Sequence, residues 1–226
     1  MLGGIGPEAT NEFYGKLIDK LQKTGNVKSN TDFPQIIINS IPAPELVNDK
    51  IPRKDLEPYI KGLKELDRMN VDFIVMVCNT IHLLYESLQK EVKTQIIDLR
   101  EEVKNVLRQN KESCVLILGT PSIVKKDLYN FKGIKSCKPN NEELKEISKA
   151  ILKFNMGEEK EKQIRQVRTI SNKYIKQGAE TIILGCTELS LMLSKEKINK
   201  INTIDVLAEA TVRRFSRLNN TPPTTL

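Results

Sequence analysis

The sequence predicts an α/β fold of two pseudo-symmetric parallel-sheet lobes, with an active site in the cleft between them. Short apolar runs bounded by turn residues alternate with stretches of helical period, the pattern of strands buried on both faces of a parallel sheet. One such stretch is written twice. Asn70-Val71-Asp72-Phe73-Ile74-Val75-Met76-Val77-Cys78-Asn79-Thr80 returns, at a constant offset of 108 residues, as Gly178-Ala179-Glu180-Thr181-Ile182-Ile183-Leu184-Gly185-Cys186-Thr187-Glu188. Each copy carries a turn, an acidic residue, an apolar run and then a cysteine followed by a polar residue. Parallel sheets bind ligands at the carboxyl ends of their strands, so two related lobes would bring two thiols to opposite sides of one pocket.

In chain order, Leu2-Gly3-Gly4-Ile5-Gly6-Pro7 is a glycine turn that opens a helix with Phe13, Leu17 and Leu21 at helical spacing. Its counterpart Cys114 to Leu118 has a full strand before the turn, whereas here the chain starts as though inside its first strand. Gly4-x-Gly6-x-x-Ala9 matches a dinucleotide fingerprint, but no acidic residue closes the next strand and Pro7 removes a backbone donor. A small anionic group at the helix N-terminus fits better. A strand at Gln35 to Ser40 precedes the stiff loop Ile41-Pro42-Ala43-Pro44, and a helix covers Asp55 to Met69. The Phe73 to Val77 strand follows, then a helix from Ile81 to Val92, a short strand at Ile96-Ile97 and a helix from Arg100 to Gln109.

The second lobe takes a strand at Val115 to Leu118, a helix after Pro121, a strand at Lys135 to Cys137, and helices at Glu142 to Phe154 and Glu161 to Gln177. The Cys186 strand and a last strand at Ile201 to Asp205 complete it. A helix from Val206 to Leu218 returns to the first lobe, and from Asn219 the chain reads as a frayed tail. The lobes are then 1–108 plus 206–226, and 109–205.

The length of 226 residues is enough for a real core without staples. Four cysteines without regular spacing or a secretory signal indicate a reducing, cytoplasmic setting. No apolar run approaches the roughly 20 residues of a membrane span. The net charge of +7 comes from Lys interleaved with Glu along helices, with no basic block or aromatic stacking pattern, so no nucleic-acid partner is expected.

Cys78 and Cys186 each sit where a strand ends and a helix begins, where backbone N–H groups favour a thiolate. Cysteine is also a common core residue, and it is the repetition that turns the balance toward chemistry. Asn79, Thr80 and Thr187 are short polar residues suited to a carboxylate. Cys114 and Cys137 lack this context and read as structural. His82, four residues after Cys78, has the spacing of a helical metal pair, but ligands from separate lobes make a poor metal site. Capping the helix or tuning the first thiol suits it better.

These motifs resemble the aspartate/glutamate racemase family, and its aspartate racemase branch in particular, over the whole chain. Leu2 to Thr10 is similar to its glycine-rich start, Cys78-Asn79-Thr80-Ile81-His82 to its first catalytic motif, and Gly185-Cys186-Thr187-Glu188-Leu189 to its second. The resemblance implies a cofactor-independent and metal-free racemase that closes two lobes over an amino acid, usually as a homodimer. It makes Cys78 and Cys186 the acid and base. It assigns the substrate to Asn79, Thr80 and Thr187, together with Thr120, Gly4 and Glu188. The sequence departs where aspartate-selective members carry cations: their Arg falls on Leu46 and their Lys near Asn155. A family Thr falls on Ile123, beside Ser122. A sibling decarboxylase or isomerase of dicarboxylates, or a thiol redox sensor, stands as the alternative.

Overall fold

The computed structural model describes residues 1–25, 27–44, 46 and 52–219. Its two halves arrange their strands in the same order. In the first half β1 (Leu2–Gly3) lies parallel to β2 (Asn39–Ser40), with Leu2 opposite Asn39. On the other side of β1 runs the stretch 73–77: Leu2 N–H donates to the Val75 carbonyl at 2.8 Å, and Val77 N–H to the Leu2 carbonyl at 2.9 Å. Ile74 in turn bridges to Ile96. In the second half β3 (Cys114–Gly119), β4 (Lys135–Cys137), β5 (Thr181–Gly185) and β6 (Lys200–Asn202) form one parallel sheet in the order β4-β3-β5-β6. The repeated stretches therefore hold equivalent central positions, next to the first strand of each half.

The first half is the less regular. Only Asn39 and Ser40 of the expected 35–40 strand pair. The expected helix from Ile81 to Val92 is a tight 3-10 turn, Thr80–Leu84, followed by a short α-helix, Tyr85–Gln89. The cause is local. His82 Nδ1–H donates to the Cys78 carbonyl at 2.8 Å, the acceptor an α-helix would give to the His82 amide. That amide bonds instead to the Asn79 carbonyl, three residues back, at 3.0 Å. The last strand is also shorter than expected. Asn202 Oδ1 accepts from the Ile204 and Asp205 amides, so a helix starts at Thr203 rather than Val206.

The helices are α1 (Pro7–Lys23), α2 (Glu57–Arg68, entered through a 3-10 turn at Arg53–Leu56), α3 (Tyr85–Gln89) and α4 (Leu99–Asn110). They continue with α5 (Pro121–Lys125), α6 (Asn141–Asn155), α7 (Lys160–Lys176), α8 (Thr187–Met192) and α9 (Thr203–Asn219). Asp98 caps α4 and Asn140 caps α6 through side-chain oxygens, as their residue types favour. The expected tail from 220 onward lies outside the described residues. Among those described, no helix is long and apolar enough to cross a membrane.

Helix α9 packs against α1 and α4. The core there joins Phe13, Leu17 and Leu21 to Val103, Leu107 and Leu207, and reaches Val115, Ile117 and Ile183 of the second sheet. One apolar core thus couples the two sheets. Others lie under α6 and α7 and under α2. Beside Met1 a hollow of about 260 Å³ is walled by Ile36, Ile37, Val71, Phe73 and Phe215, with Gln35, Asn70 and Asp72 also on its lining. This is the line along which residues extending β1 backward would run. The Met1 ammonium group donates to the Ile37 carbonyl there, and burial lowers its pKa from 8.0 to about 6.

Candidate active site

The cysteines of the two repeats meet at the carboxyl ends of the two sheets. Cys78 follows the stretch 73–77, and Cys186 caps α8 directly after β5. Both are buried, 7% and 5% exposed, and both face one small cavity. Three threonines share its wall: Thr80 beside the first thiol, Thr187 beside the second, and Thr120 from the turn after β3. The Thr80 and Thr120 hydroxyls are 3.2 Å apart and tie the two halves together at the cavity. The remaining wall is Ile5, Gly6, Leu46, Ile151 and Asn155, with Glu188 as its one charged member among the described residues. The cavity measures about 30 Å³, room for a water rather than for an amino acid.

The thiols have unlike surroundings. Burial pushes the Cys78 thiol from 9.0 up to about 12, against the pull of backbone N–H groups of Ile81 and Thr80. Those donors come from the 3-10 turn. Burial also raises Cys186 well above its ordinary value, and there the Glu188 carboxylate adds to the rise. Cys186 Sγ–H donates to Glu188 Oε2 at 2.8 Å, and the Thr187 hydroxyl donates to the same oxygen at 3.1 Å. The other carboxylate oxygen abuts Gly6, where a Cβ would come within 2.3 Å of it. Gly6 caps α1 with φ +80, so the anion expected at that helix N-terminus is the chain's own Glu188.

A model described as Asp/Glu/hydantoin racemase matches residues 2–213. The chain belongs to that family. It is 27% identical to the broad specificity amino-acid racemase RacX of Bacillus subtilis (strain 168), over 95% of this chain and 96% of that one. Among solved structures it is similar to an aspartate racemase homologue from Pyrococcus horikoshii OT3, with a TM-score of 0.68 and 26% identity, covering 95% of this chain and 97% of that one. The Picrophilus torridus aspartate racemase shares the fold, with a TM-score of 0.76 and 21% identity, covering 95% of this chain and 92% of that one. The chain is thus an isomerase of the amino-acid racemase type.

Within this racemase fold, Cys78, Thr80, Thr120, Cys186, Thr187 and Glu188 reach the cavity, as do Leu46 and Asn155, the positions without cations. Gly4 and Asn79 do not line the cavity. Asn79 Oδ1 accepts from the Tyr129 hydroxyl, and Nδ2 donates to Thr203 Oγ1 at 3.0 Å. Ile123 and Ser122 are buried in α5. His82 stacks on Tyr85 with ring centroids 6.4 Å apart, and burial lowers its pKa. No three His, Cys, Asp or Glu side chains among the described residues are grouped to hold a metal ion. Cys114 and Cys137 have sulfurs 3.8 Å apart, at the opposite end of β3 from the site. Sequence reasoning missed Ile5 and Ile151 on the wall, and Tyr129 and Thr203 behind it. None carries a local signal, since each is placed by contacts with distant segments.

Proposed function

We propose that the chain interconverts L- and D-amino acids without a cofactor, by proton transfer at Cα between Cys78 and Cys186. The observation that carries this reading is the pair of buried thiols on one cavity wall, each delivered by the same position of a repeated strand. Inversion needs a base on one face of Cα and an acid on the other. One thiol, ionised, removes the α-proton; the other, protonated, returns a proton to the opposite face, and the reverse reaction exchanges their roles. The resting thiols are protonated. The Glu188 carboxylate accepts the Cys186 S–H at 2.8 Å and favours its protonated, acid form, whereas the Ile81 and Thr80 N–H groups support a thiolate at Cys78. The ammonium group of the bound substrate would favour both thiolates. Thr80, Thr120 and Thr187 receive the α-carboxylate.

The substrate side chain in this reading is uncharged. Leu46, Ile151 and Ile5 offer apolar surface and Asn155 an amide, and the described wall holds no Lys or Arg. A second carboxylate would be desolvated without a cation. The small cavity must open to admit any amino acid. The Lys160 to Glu8 ion pair, 2.5 Å between the starts of α7 and α1, is one contact that joins the halves nearby. A cytoplasmic homodimer completes the reading, on the family resemblance.

The test is a panel of L-amino acids in deuterated water, followed by proton NMR for loss of the α-proton and by chiral chromatography for the D-form. Turnover of residues such as methionine or glutamine ahead of aspartate is expected. Exclusive turnover of aspartate would overturn the uncharged-substrate reading, and no exchange with any member would overturn the racemase reading.

A further inference from the structure

Tyr129 lies in the segment after α5, 1% exposed, and touches residues adjoining both cysteines. Its hydroxyl donates to the side chain of Asn79, which follows Cys78. Its ring lies flush on Gly185, which precedes Cys186: a Cβ there would come within 3.2 Å of Tyr129 Cε2 and 3.3 Å of Cδ2. Both thiols are close enough to act electrostatically on the phenol, whose pKa is raised by burial first and then by Cys78, Asp98 and Cys186. Asn79 is tied a second time, through Thr203, whose hydroxyl donates to the Leu184 carbonyl at 2.8 Å, two residues before Cys186. The chain segments carrying the two thiols are thus connected behind the cavity by one aromatic ring and one hydrogen-bond chain.

We propose that Tyr129 is a positioning residue that sets the separation of the two thiols, through its ring on Gly185 and its hydroxyl on Asn79. This rests on the two-thiol reading and deepens it. An α-carbon held between two sulfurs needs both within reach at once, and a misplacement of about 1 Å can cost about 10²-fold in rate. A rigid phenol is suited to the purpose, having few torsions and a polar end that finds a partner when buried. Glycine at 185 is what allows the ring to approach the backbone. An ordinary core tyrosine would contribute stability alone, and its loss would affect all steps of the reaction together. A spacer has a narrower effect. Removal of a proton and its return to the same face needs one thiol, whereas inversion needs both, so a loosened spacing lowers inversion relative to same-face exchange.

The experiment compares wild type, Tyr129→Phe and Tyr129→Leu in deuterated water with the fastest amino acid of the panel. It measures deuterium in the recovered starting enantiomer against deuterium in the inverted product, with a thermal melt of each variant. Tyr129→Phe keeps the ring and is expected to lower the ratio of inversion to exchange several-fold. Tyr129→Leu is expected to lower it by about 10²-fold. If Tyr129→Leu does not fold, the Phe variant decides alone. An unchanged ratio in the folded variants, or a parallel fall of both rates, overturns the proposal while leaving the two-thiol reading intact. Inversion that survives loss of either cysteine would overturn that reading and the proposal with it.

Discussion

The Cys78 end and the Cys186 end of the molecule come from the same sequence pattern and are built differently. Cys186 follows a five-residue strand paired on both sides and leads into the α-helix α8, with a carboxylate two residues on that accepts its S–H. Cys78 follows a stretch held by single bridges and leads into a 3-10 turn, whose amides point at its sulfur and whose His82 takes up its carbonyl. A duplicated strand end thus delivers two thiols while the residues after each decide how its proton is handled. One thiol has a hydrogen-bonding carboxylate of its own, while the other meets backbone N–H donors and feels Glu188 through its charge alone. The two directions of the proposed reaction therefore start from unequal bases.

The largest expected effect concerns what the two ends share. Cys78→Ala and Cys186→Ala should each lower inversion by on the order of 10⁴-fold, while Cys114→Ala and Cys137→Ala leave it unchanged. The two inactive variants should retain exchange on opposite enantiomers, which chiral analysis after incubation in deuterated water would reveal. Retention on the same enantiomer would mean that the thiols do not face opposite sides of Cα.

What separates the two ends is the target of a second variant. The Glu188 carboxylate favours the protonated form of Cys186, so Glu188→Gln should lower the pH at which proton removal by Cys186 sets in and speed that removal near neutral pH. The gain should shrink as pH rises, because the wild-type thiol then ionises as well. Proton removal by Cys78 should shift in the same direction but less, since Glu188 acts on it through charge alone. Rates followed separately from the L- and D-substrate across pH would show an equal change in both directions if Glu188 serves both thiols alike.

A smaller effect comes from the irregular first half. β1 has two residues where β3 has six, and a hollow lined in part by apolar side chains lies beside its first residue. Four or five apolar residues added before Met1 should fill it, at about 1.5–3 kcal/mol for each aliphatic side chain buried. The extension should also remove a pH dependence. The Met1 ammonium group has its pKa lowered from 8.0 to about 6, so the folded chain binds fewer protons than the unfolded one in between. Stability is therefore full above pH 8 and is lost as pH falls toward 6. Thermal melts at pH 6, 7 and 8 should show this slope in the present chain and a higher, flatter midpoint in the extended one. An unchanged midpoint would show that the first sheet closes adequately without more strand.

Local pattern alone determined much about this protein: the α/β class, the parallel strands around the repeated stretch, most helices to within a residue or two, and both cysteines with their adjacent threonines. Those features rest on short-range causes, namely apolar runs, helical period and capping side chains, and a repeat reports them twice. One local cause lies outside helical period: the turn after Cys78 is 3-10 because the His82 ring competes for the Cys78 carbonyl. The tertiary structure decided the rest. That Glu188 serves Cys186 and closes on Gly6 depends on the approach of two sheets from distant parts of the chain. Tyr129 reaches both thiol-bearing segments for the same reason: no spacing in the sequence encodes a contact that exists only once a shared core has brought the sheets together.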